Sequence, residues 1–473
     1  MAIHLLTALY LVSAVTLALF TGGQALLLIQ YGRTRRTVIP TPPLTRTPKV
    51  CIQLPLYNEA SVSQRLLAAV CALDYPRQQL QIQLLDDSSD ETSSVLAQLI
   101  PHYQAQGFQI QHLRRSQRTG YKAGALQAGL QHTDSEFVVI FDADFVPPAD
   151  FLQRSLPHLL HDEGLAVVQT RWGHLNRDEN WLTQAQALAV DGHFVVEQTA
   201  RNRSAWFVPF NGSGGIWRVS AIRDSGGWLS RTLTEDLDLS YRAQLRGWRA
   251  LYLPEIVVEG ELPPQLAAYR QQQARWAQGD IQCLAIFAPQ LWRASLPPMV
   301  KLMAIHHLFQ YLAQPLMLLL LLLTPPLLAA DALSPALAPL GVMGIVPPLL
   351  YAISQYRLYP NWLRRMAIFP VLLLVVTGMV FANSWAVLKA LLGRGDEFKR
   401  TPKYAADWQN SRYALKGRWR YAEIALALYA LLGIWIALRN EPAAVPYLLI
   451  YVASLATVVL WDAFDQWRLN HPV

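Results

Sequence analysis

The sequence predicts an α/β domain, a mostly parallel sheet covered by helices, inserted between transmembrane helices. Three observations lead there. Apolar runs free of Lys, Arg, Asp and Glu cluster at the two ends of the 473-residue chain. Between them, from Lys49 to about Glu259, short apolar runs alternate with helix-like patterns. Acidic clusters fall at the ends of those runs, where open parallel sheets bind their ligands.

The apolar runs come first. Hydrophobic residues make up 52% of the chain and charged residues 15%. No Lys, Arg, Asp or Glu lies within Leu5–Tyr31, Leu302–Ala330, Ala332–Tyr356, Met366–Leu388 or Pro442–Trp461, and a shorter run, Ile424–Leu438, is bounded by Glu423 and Arg439. About 20 apolar residues span a hydrocarbon core of about 30 Å. The chain therefore reads as an integral membrane protein. Residues 1–32 lack a basic leader and run straight into Arg33, Arg35 and Arg36, which suits a retained anchor better than a cleaved signal. Those cations place the middle of the chain in the cytoplasm, with a bacterial inner membrane as the expected location.

The net charge of +7 comes from cations beside membrane segments, so membrane lipids are expected partners and nucleic acid is not. Cys51, Cys71 and Cys283 are scattered, without metal-ligand spacing, and read as reduced thiols.

Residues 33–48, with Pro40, Pro42, Pro43 and Pro48, form an extended linker to a catalytic domain expected over 49–262. Within it Val50–Leu54, Ile82–Leu85, Ile110–Leu113, Phe137–Phe141 and Ala166–Gln169 read as strands. Ser61–Leu73, Thr92–His102 and Lys122–Leu130 read as intervening helices. Residues 263–300, rich in Gln, Trp and Arg, are assigned to amphipathic interfacial helices. A C-terminal transmembrane region, 301–473, contains the loop 389–420 with nine Lys or Arg residues. Counting every later apolar run as a crossing puts that loop outside, whereas its cations favour the cytoplasm. Met366–Leu388, interrupted by Pro370 and Gly378, is accordingly expected to be kinked, re-entrant or partly interfacial.

The chemistry sits in separated clusters. In an extended segment the carboxylates of Asp142 and Asp144 share a face and suit Mg²⁺ or Mn²⁺ on a diphosphate, although Asp-x-Asp also fits a solvated turn. Asp87 ends a strand and can accept from a base or ribose, while Asp87 or Ser88 would serve equally as the cap of the helix at Thr92. Pro55, Tyr57 and Glu59 can wall a base pocket or form a plain turn. Lys122 behind Gly120 suits a phosphate, or is an exposed lysine on a glycine-started helix. Asp236 can act as a general base, and Thr234 is also a reasonable N-cap for acids in a first turn. Gln272, Arg275 and Trp276 at i, i+3 and i+4 share a helix face suited to phosphate and a sugar ring, or to membrane anchoring.

Read in order, the stretches PLYNE at 55–59, LLDDSSD at 84–90, GYKAGAL at 120–126, FDADF at 141–145, FNGSGGIWR at 210–218, LTEDLDLSYRA at 233–243, ELPP at 261–264 and AYRQQQARW at 268–276 resemble the family-2 processive glycosyltransferases, above all cellulose-synthase-like mannan and glucan synthases and their bacterial relatives. The resemblance covers about residues 49–285. It implies a GT-A fold, a nucleotide-sugar donor of the UDP-glucose or GDP-mannose class, a divalent cation (Mg²⁺ or Mn²⁺) and an inverting mechanism. It further implies that Pro55, Tyr57, Glu59, Asp87, Lys122, Asp142, Gln272 and Arg275 contact the donor. Asp144, with Asp142, would hold the metal, and Asp236 would be the base. Asn211, Gly212, Ser213, Glu235 and Trp276 would face the acceptor. FKRTPK at 398–403 is similar to the gating loop of cellulose synthases, which implies that Thr401 and Lys403 cover the nucleotide. The sequence departs from that family in showing no cyclic-nucleotide-binding domain after the last apolar run and in its smaller membrane part, so a dedicated secretion channel is not implied.

Two enzymatic readings and one non-enzymatic reading follow. The favoured one extends a β-linked polysaccharide; the alternative adds a single sugar to diacylglycerol or ceramide. Intact carboxylates in every cluster argue against a regulatory or scaffold protein.

Overall fold

In the computed structural model, described for residues 1–333, 341–393, 398–405, 408–409, 411–415 and 420–471, a single sheet carries the central part of the chain. Its strands are β1 (Val50–Leu56), β2 (Leu80–Asp86), β3 (Gln109–Arg114), β4 (Phe137–Ile140), β5 (Leu165–His174), β6 (Gly215–Arg218) and β7 (Arg249–Gly260), in the order β3-β2-β1-β4-β6-β5-β7. The pairs β1–β2, β1–β4, β2–β3 and β5–β7 are parallel, and β6 alone is antiparallel to both its neighbours. This is the mostly parallel sheet expected from the sequence.

β1 is central and buried on both faces, which is why it reads as a near-continuous apolar run. Alternate residues feed different cores. Ile52 and Leu54 join Leu66, Leu84 and Phe151 on one face. Cys51 joins Leu126, Ile140, Trp217 and Leu239 on the other. Pro55 is tolerated because the β1–β4 pairing ends at Gln53↔Ile140, so its missing N–H deprives no partner there.

Topology gathers the site. The carboxyl ends of β1, β2, β4, β5 and β7 share one edge, and the reversed β6 brings its amino end, the Asn211–Gly214 turn, to the same edge. β6 and β7 lie beyond the five strands expected. β6 has only four residues and follows a glycine run, and β7 contains Pro254 and breaks register at Thr170/Arg171 of its partner, so neither shows a clean period.

Among the described residues, four helices are long and apolar enough to cross a membrane: Ala2–Thr34, Gln310–Ala329, Tyr421–Asn440 and Pro442–Asn470. A fifth candidate is the pair Trp362–Gly378 and Val380–Leu391, bent by 46°. The kink falls next to Gly378, where a Cβ would lie 2.5 Å from the Ser454 carbonyl oxygen. The run Ala332–Tyr356 is described only in part: residues 334–340 lie outside the described residues, and its later part forms the helix Val346–Leu358.

Residues 394–397, 406–407, 410 and 416–419 of the basic loop also lie outside the described residues. The described part reaches the sheet edge, with Arg400 Nη1 3.2 Å from Glu59 Oε2, so loop and sheet edge share one side. Gln272, Arg275 and Trp276 sit on one 28-residue helix, Leu266–Arg293. Its Ala277 and Ile281 pack on Ala386 and Val387 of the bent pair.

Candidate active site

The first wall of the cleft lies at the ends of β1 to β3. Asp87 is clamped by Arg115, whose Nε donates to Oδ1 at 2.9 Å and whose Nη2 donates to Oδ2. Arg115 also holds the carbonyls of Thr119 and Tyr121, which fixes the turn into the helix Tyr121–Leu130. Arg118 lies flat over Tyr57, 3.4 Å from the ring centroid. Asp86 points the other way into the fold. Burial alone would raise its carboxyl, but hydrogen bonds from His112, Ser93 and Ser88 bring it down to about 2. Neither Asp87 nor Ser88 caps the helix at Thr92; Glu91 holds the cap position without a side-chain bond, and Asp90 just before it accepts from the Thr92 N–H at 2.9 Å.

The second wall is built around Lys122. Its Nζ lies 2.6 Å from Asp142 Oδ1 and 3.6 Å from Glu235 Oε1, and it donates to the Gly212 carbonyl at 3.0 Å. Burial opposes its charge, but Asp142, Glu235 and Asp236 outweigh burial and raise its pKa. Lys122 is thus a charged site residue and not a surface lysine.

Asp236 stands in the first turn of the helix Glu235–Leu245 and accepts from the Leu237 N–H at 2.9 Å. Thr234 precedes that helix without a side-chain cap; its hydroxyl instead faces Cys283 Sγ at 3.6 Å. Burial, reinforced by Glu235, pushes the Asp236 carboxyl up to about 7, against Lys122, the Leu237 N–H and Arg275. A carboxyl poised there can exchange a proton near neutral pH. Gly212, at φ +85°, packs against it so closely that a Cβ would lie 2.7 Å from Asp236 Oδ2.

The Asp142–Asp144 pair corrects one expectation. It lies in a turn, with the Phe145 N–H donating to the Asp142 carbonyl at 3.0 Å, and not in an extended strand. The turn separates the carboxylates' partners: Asp142 meets Lys122, while Asp144 Oδ2 meets Lys403 Nζ at 2.6 Å and the Glu261 N–H at 3.2 Å. Among the described residues, Asp144 Oδ1 and the Thr401 hydroxyl are buried without a hydrogen-bond partner. Glu59 lies beside them, its carboxyl pushed up to about 8 by burial, with Asp144 and Asp142 adding to the shift and Arg400 and Lys403 opposing it.

The described loop roofs the cleft. Phe398 stacks on Tyr121 at 5.8 Å between centroids, and the Arg275 guanidinium lies over the Phe398 ring, 4.9 Å from its centroid. Gln272 and Trp276 are half-buried on the same helix face as Arg275. A cavity of about 150 Å³ remains between Lys122, Ser230, Glu235, Gln282 and Phe398.

Two expected acceptor contacts are committed to the frame. The Ser213 hydroxyl accepts from the Asp142 N–H at 3.0 Å, and the Asn211 side chain is held by Gln198 and His193. Arg115, Arg118 and Arg400 were not among the expected site residues. The first two follow β3 directly, at the edge where ligand groups were sought, so strand position was the available signal.

Residues 48–279 match the family model described as glycosyltransferase like family 2. Over 236 residues the chain is 45% identical to glucomannan 4-beta-mannosyltransferase 2 of Arabidopsis thaliana, covering 49% of this chain and 44% of that one. It is 44% identical over 236 residues to glucomannan 4-beta-mannosyltransferase 1 of Oryza sativa subsp. japonica, covering 49% of this chain and 45% of that one. The match thus spans less than half the length of these relatives. A solved mannosyltransferase from Pyrobaculum calidifontis, in complex with GDP-Man and Mn²⁺, superposes with a TM-score of 0.60 at 22% identity, covering 82% of this chain and 100% of that one. That likeness establishes the fold, a GT-A-like domain.

Proposed function

We infer, from the premise that residues 48–279 are a glycosyltransferase family 2 domain, that this protein transfers a hexose from a nucleotide sugar to a growing β-linked polysaccharide. GDP-mannose is the preferred donor class. The observation that carries this reading is the 45% identity to a glucomannan 4-beta-mannosyltransferase, and the convergence of Asp87, Lys122, Asp142, Asp144, Asp236 and Arg275 on one sheet edge agrees with it.

In this reading Tyr57, Arg118 and Asp87 receive the base and ribose. Lys122 and Arg275 bring positive charge to the diphosphate, and Thr401 and Lys403 close over it. Asp142 and Asp144 would hold Mg²⁺ or Mn²⁺. Hard carboxylate oxygens, one of them buried without a partner, fit such an ion, and the diphosphate would complete its shell. Among the described residues no group of three or more His, Cys, Asp or Glu side chains converges as a closed metal site, which suits a cation shared with substrate. When bound, the cation offsets charge on the departing diphosphate.

Asp236 takes the proton from the acceptor hydroxyl as that oxygen forms its bond to the anomeric carbon and the bond to the diphosphate breaks on the opposite face. One base suffices for this displacement, and the anomeric configuration inverts. Glu235 and Trp276 flank the acceptor, and Gly212 permits it to approach Asp236. The working division is an anchor at 1–32, a linker at 33–48, the catalytic domain at 49–262, interfacial helices at 263–300 and a membrane region at 301–473. The cations of the basic loop favour the cytoplasm for the catalytic side, of a bacterial inner membrane on this reading.

The test incubates purified protein in lipid with labelled GDP-mannose, UDP-glucose or UDP-N-acetylglucosamine and Mg²⁺ or Mn²⁺. Labelled mannose in a polymeric fraction is expected. Label confined to a lipid-extractable monoglycoside would favour the glycolipid synthase instead.

A further inference from the structure

The helix Trp181–Asp191 does not stop at Asp191; it runs on as a π-helix, Gly192–Gln198, into the helix Thr199–Arg203. π geometry is rare and often accompanies functional sites. Here it carries His193 and Glu197 to the acceptor-side turn. His193 Nδ1 lies 3.0 Å from Glu197 Oε2, and its Nε2 lies 3.2 Å from Asn211 Nδ2.

The direction of every hydrogen bond in this chain follows from its far end. The Pro209 carbonyl can only accept, so the group of Gln198 facing it at 3.1 Å is its NH₂. The same NH₂ donates to Asn211 Oδ1 at 2.6 Å. The Asn211 NH₂ therefore faces His193 and donates to Nε2. That leaves the imidazole proton on Nδ1, where it donates to the Glu197 carboxylate. Burial would raise the Glu197 carboxyl, but His193, Arg201 and His306 hold it below its ordinary value, as a carboxylate accepting from a ring N–H requires.

The chain ends at the reacting centre. The Asn211 N–H donates to Gln169 Oε1 at 2.9 Å, and the next residue, Gly212, is the one packed against Asp236. The donor side has separate anchors, in the Asp142–Lys122 and Asp87–Arg115 pairs.

We propose that Glu197 and His193 are positioning residues: they fix the side chain of Asn211 and thereby hold the acceptor-side turn against Asp236. The proposal rests on the transferase reading above. It separates the two ring nitrogens, because only Nε2 reaches Asn211.

His193→Asn supplies a donor near the Nδ1 position but no group at Nε2, whereas His193→Gln supplies a carbonyl acceptor near Nε2. The full chain in lipid is assayed with GDP-mannose, Mn²⁺ and mannohexaose, and GDP binding is measured by calorimetry. His193→Asn is expected to raise the KM for mannohexaose about tenfold, the equivalent of one hydrogen bond, with the Kd for GDP unchanged within about twofold on the same scale. His193→Gln is expected to restore most of that KM. The proposal is overturned by an unchanged acceptor KM in His193→Asn, by a proportional loss of GDP binding that marks collapse of the whole cleft, or by His193→Gln behaving no better than His193→Asn. Wild-type protein that binds GDP yet transfers mannose to nothing would overturn the transferase reading and this proposal with it.

Discussion

Lys403 Nζ lies 2.6 Å from Asp144 Oδ2, and the half-buried lysine and buried aspartate are separated by 259 positions in sequence. The ammonium thus sits on the carboxylate assigned to the divalent cation. Burial opposes the lysine charge, yet Asp144, Glu59 and Glu261 raise its pKa, so Lys403 arrives charged. Lysine and metal cannot share that oxygen equally. If Asp144 holds the cation as proposed, the loop that covers the cleft should compete with the metal in the absence of nucleotide.

Lys403→Met tests this competition. Without nucleotide, Mn²⁺ measured by electron paramagnetic resonance should bind several-fold more tightly than to wild type, by about 1 kcal/mol or more, since breaking the pair leaves Asp144 a buried, uncompensated charge. Transfer should fall in the same variant, because the lysine no longer covers the diphosphate. Equal Mn²⁺ affinity in both proteins would refute the competition.

Asp236 sets the pH dependence. Its carboxyl is raised by burial to about 7, and only its deprotonated form accepts a proton, so kcat/KM for the acceptor should rise with pH through about 7 and then level off. Stability runs the other way. The folded state holds this proton more tightly than the unfolded chain, so the contribution is full below pH 3.8 and is lost as pH rises to about 7. Asp236→Asn should therefore lose about 10²–10⁴ in kcat, keep GDP binding, and show a higher Tm than wild type at pH 8. A Tm gain at pH 4 equal to that at pH 8 would contradict the assigned shift.

Gly212→Ala places a methyl group 2.7 Å from Asp236 Oδ2 in a backbone with φ +85°. Strain there should cost about 1–3 kcal/mol of stability, read as a drop in Tm. Transfer should fall by more than GDP binding, because the added methyl group displaces the base. A variant as active as wild type would show that the turn has room to yield.

Arg118→Ala removes the guanidinium over Tyr57, a contact worth about 0.5–2 kcal/mol. The Kd for GDP should rise about two- to thirtyfold by calorimetry, on the same conversion, while Mn²⁺ binding without nucleotide stays unchanged. Loss of both would indicate a collapsed edge and not a base contact.

Much of this architecture was legible in the chain. β1 to β5 carry enough apolar residues to declare themselves, and because parallel strands end together, Asp87 and Asp142 could be placed on one edge before any coordinates. β6 and β7 could not, since one is too short and the other is interrupted by Pro254 and shifted in register. Arg115 and Arg118 were legible only through their position just past β3, and nothing else in the local sequence marks them as partners of Asp87 and Tyr57. His193 and Glu197 were invisible for a different reason: their spacing is ordinary, and only the π-helix aims them at Asn211.

The most direct measurement supplies GDP-[¹⁴C]mannose and Mn²⁺ to the purified protein in lipid and digests the washed product with endo-β-mannanase. The account predicts a labelled polymer that the enzyme converts to short oligosaccharides, absent when Asp236 is replaced by Asn. Label recovered only as a solvent-extractable single-sugar lipid, or polymer made equally well by Asp236→Asn, would contradict it.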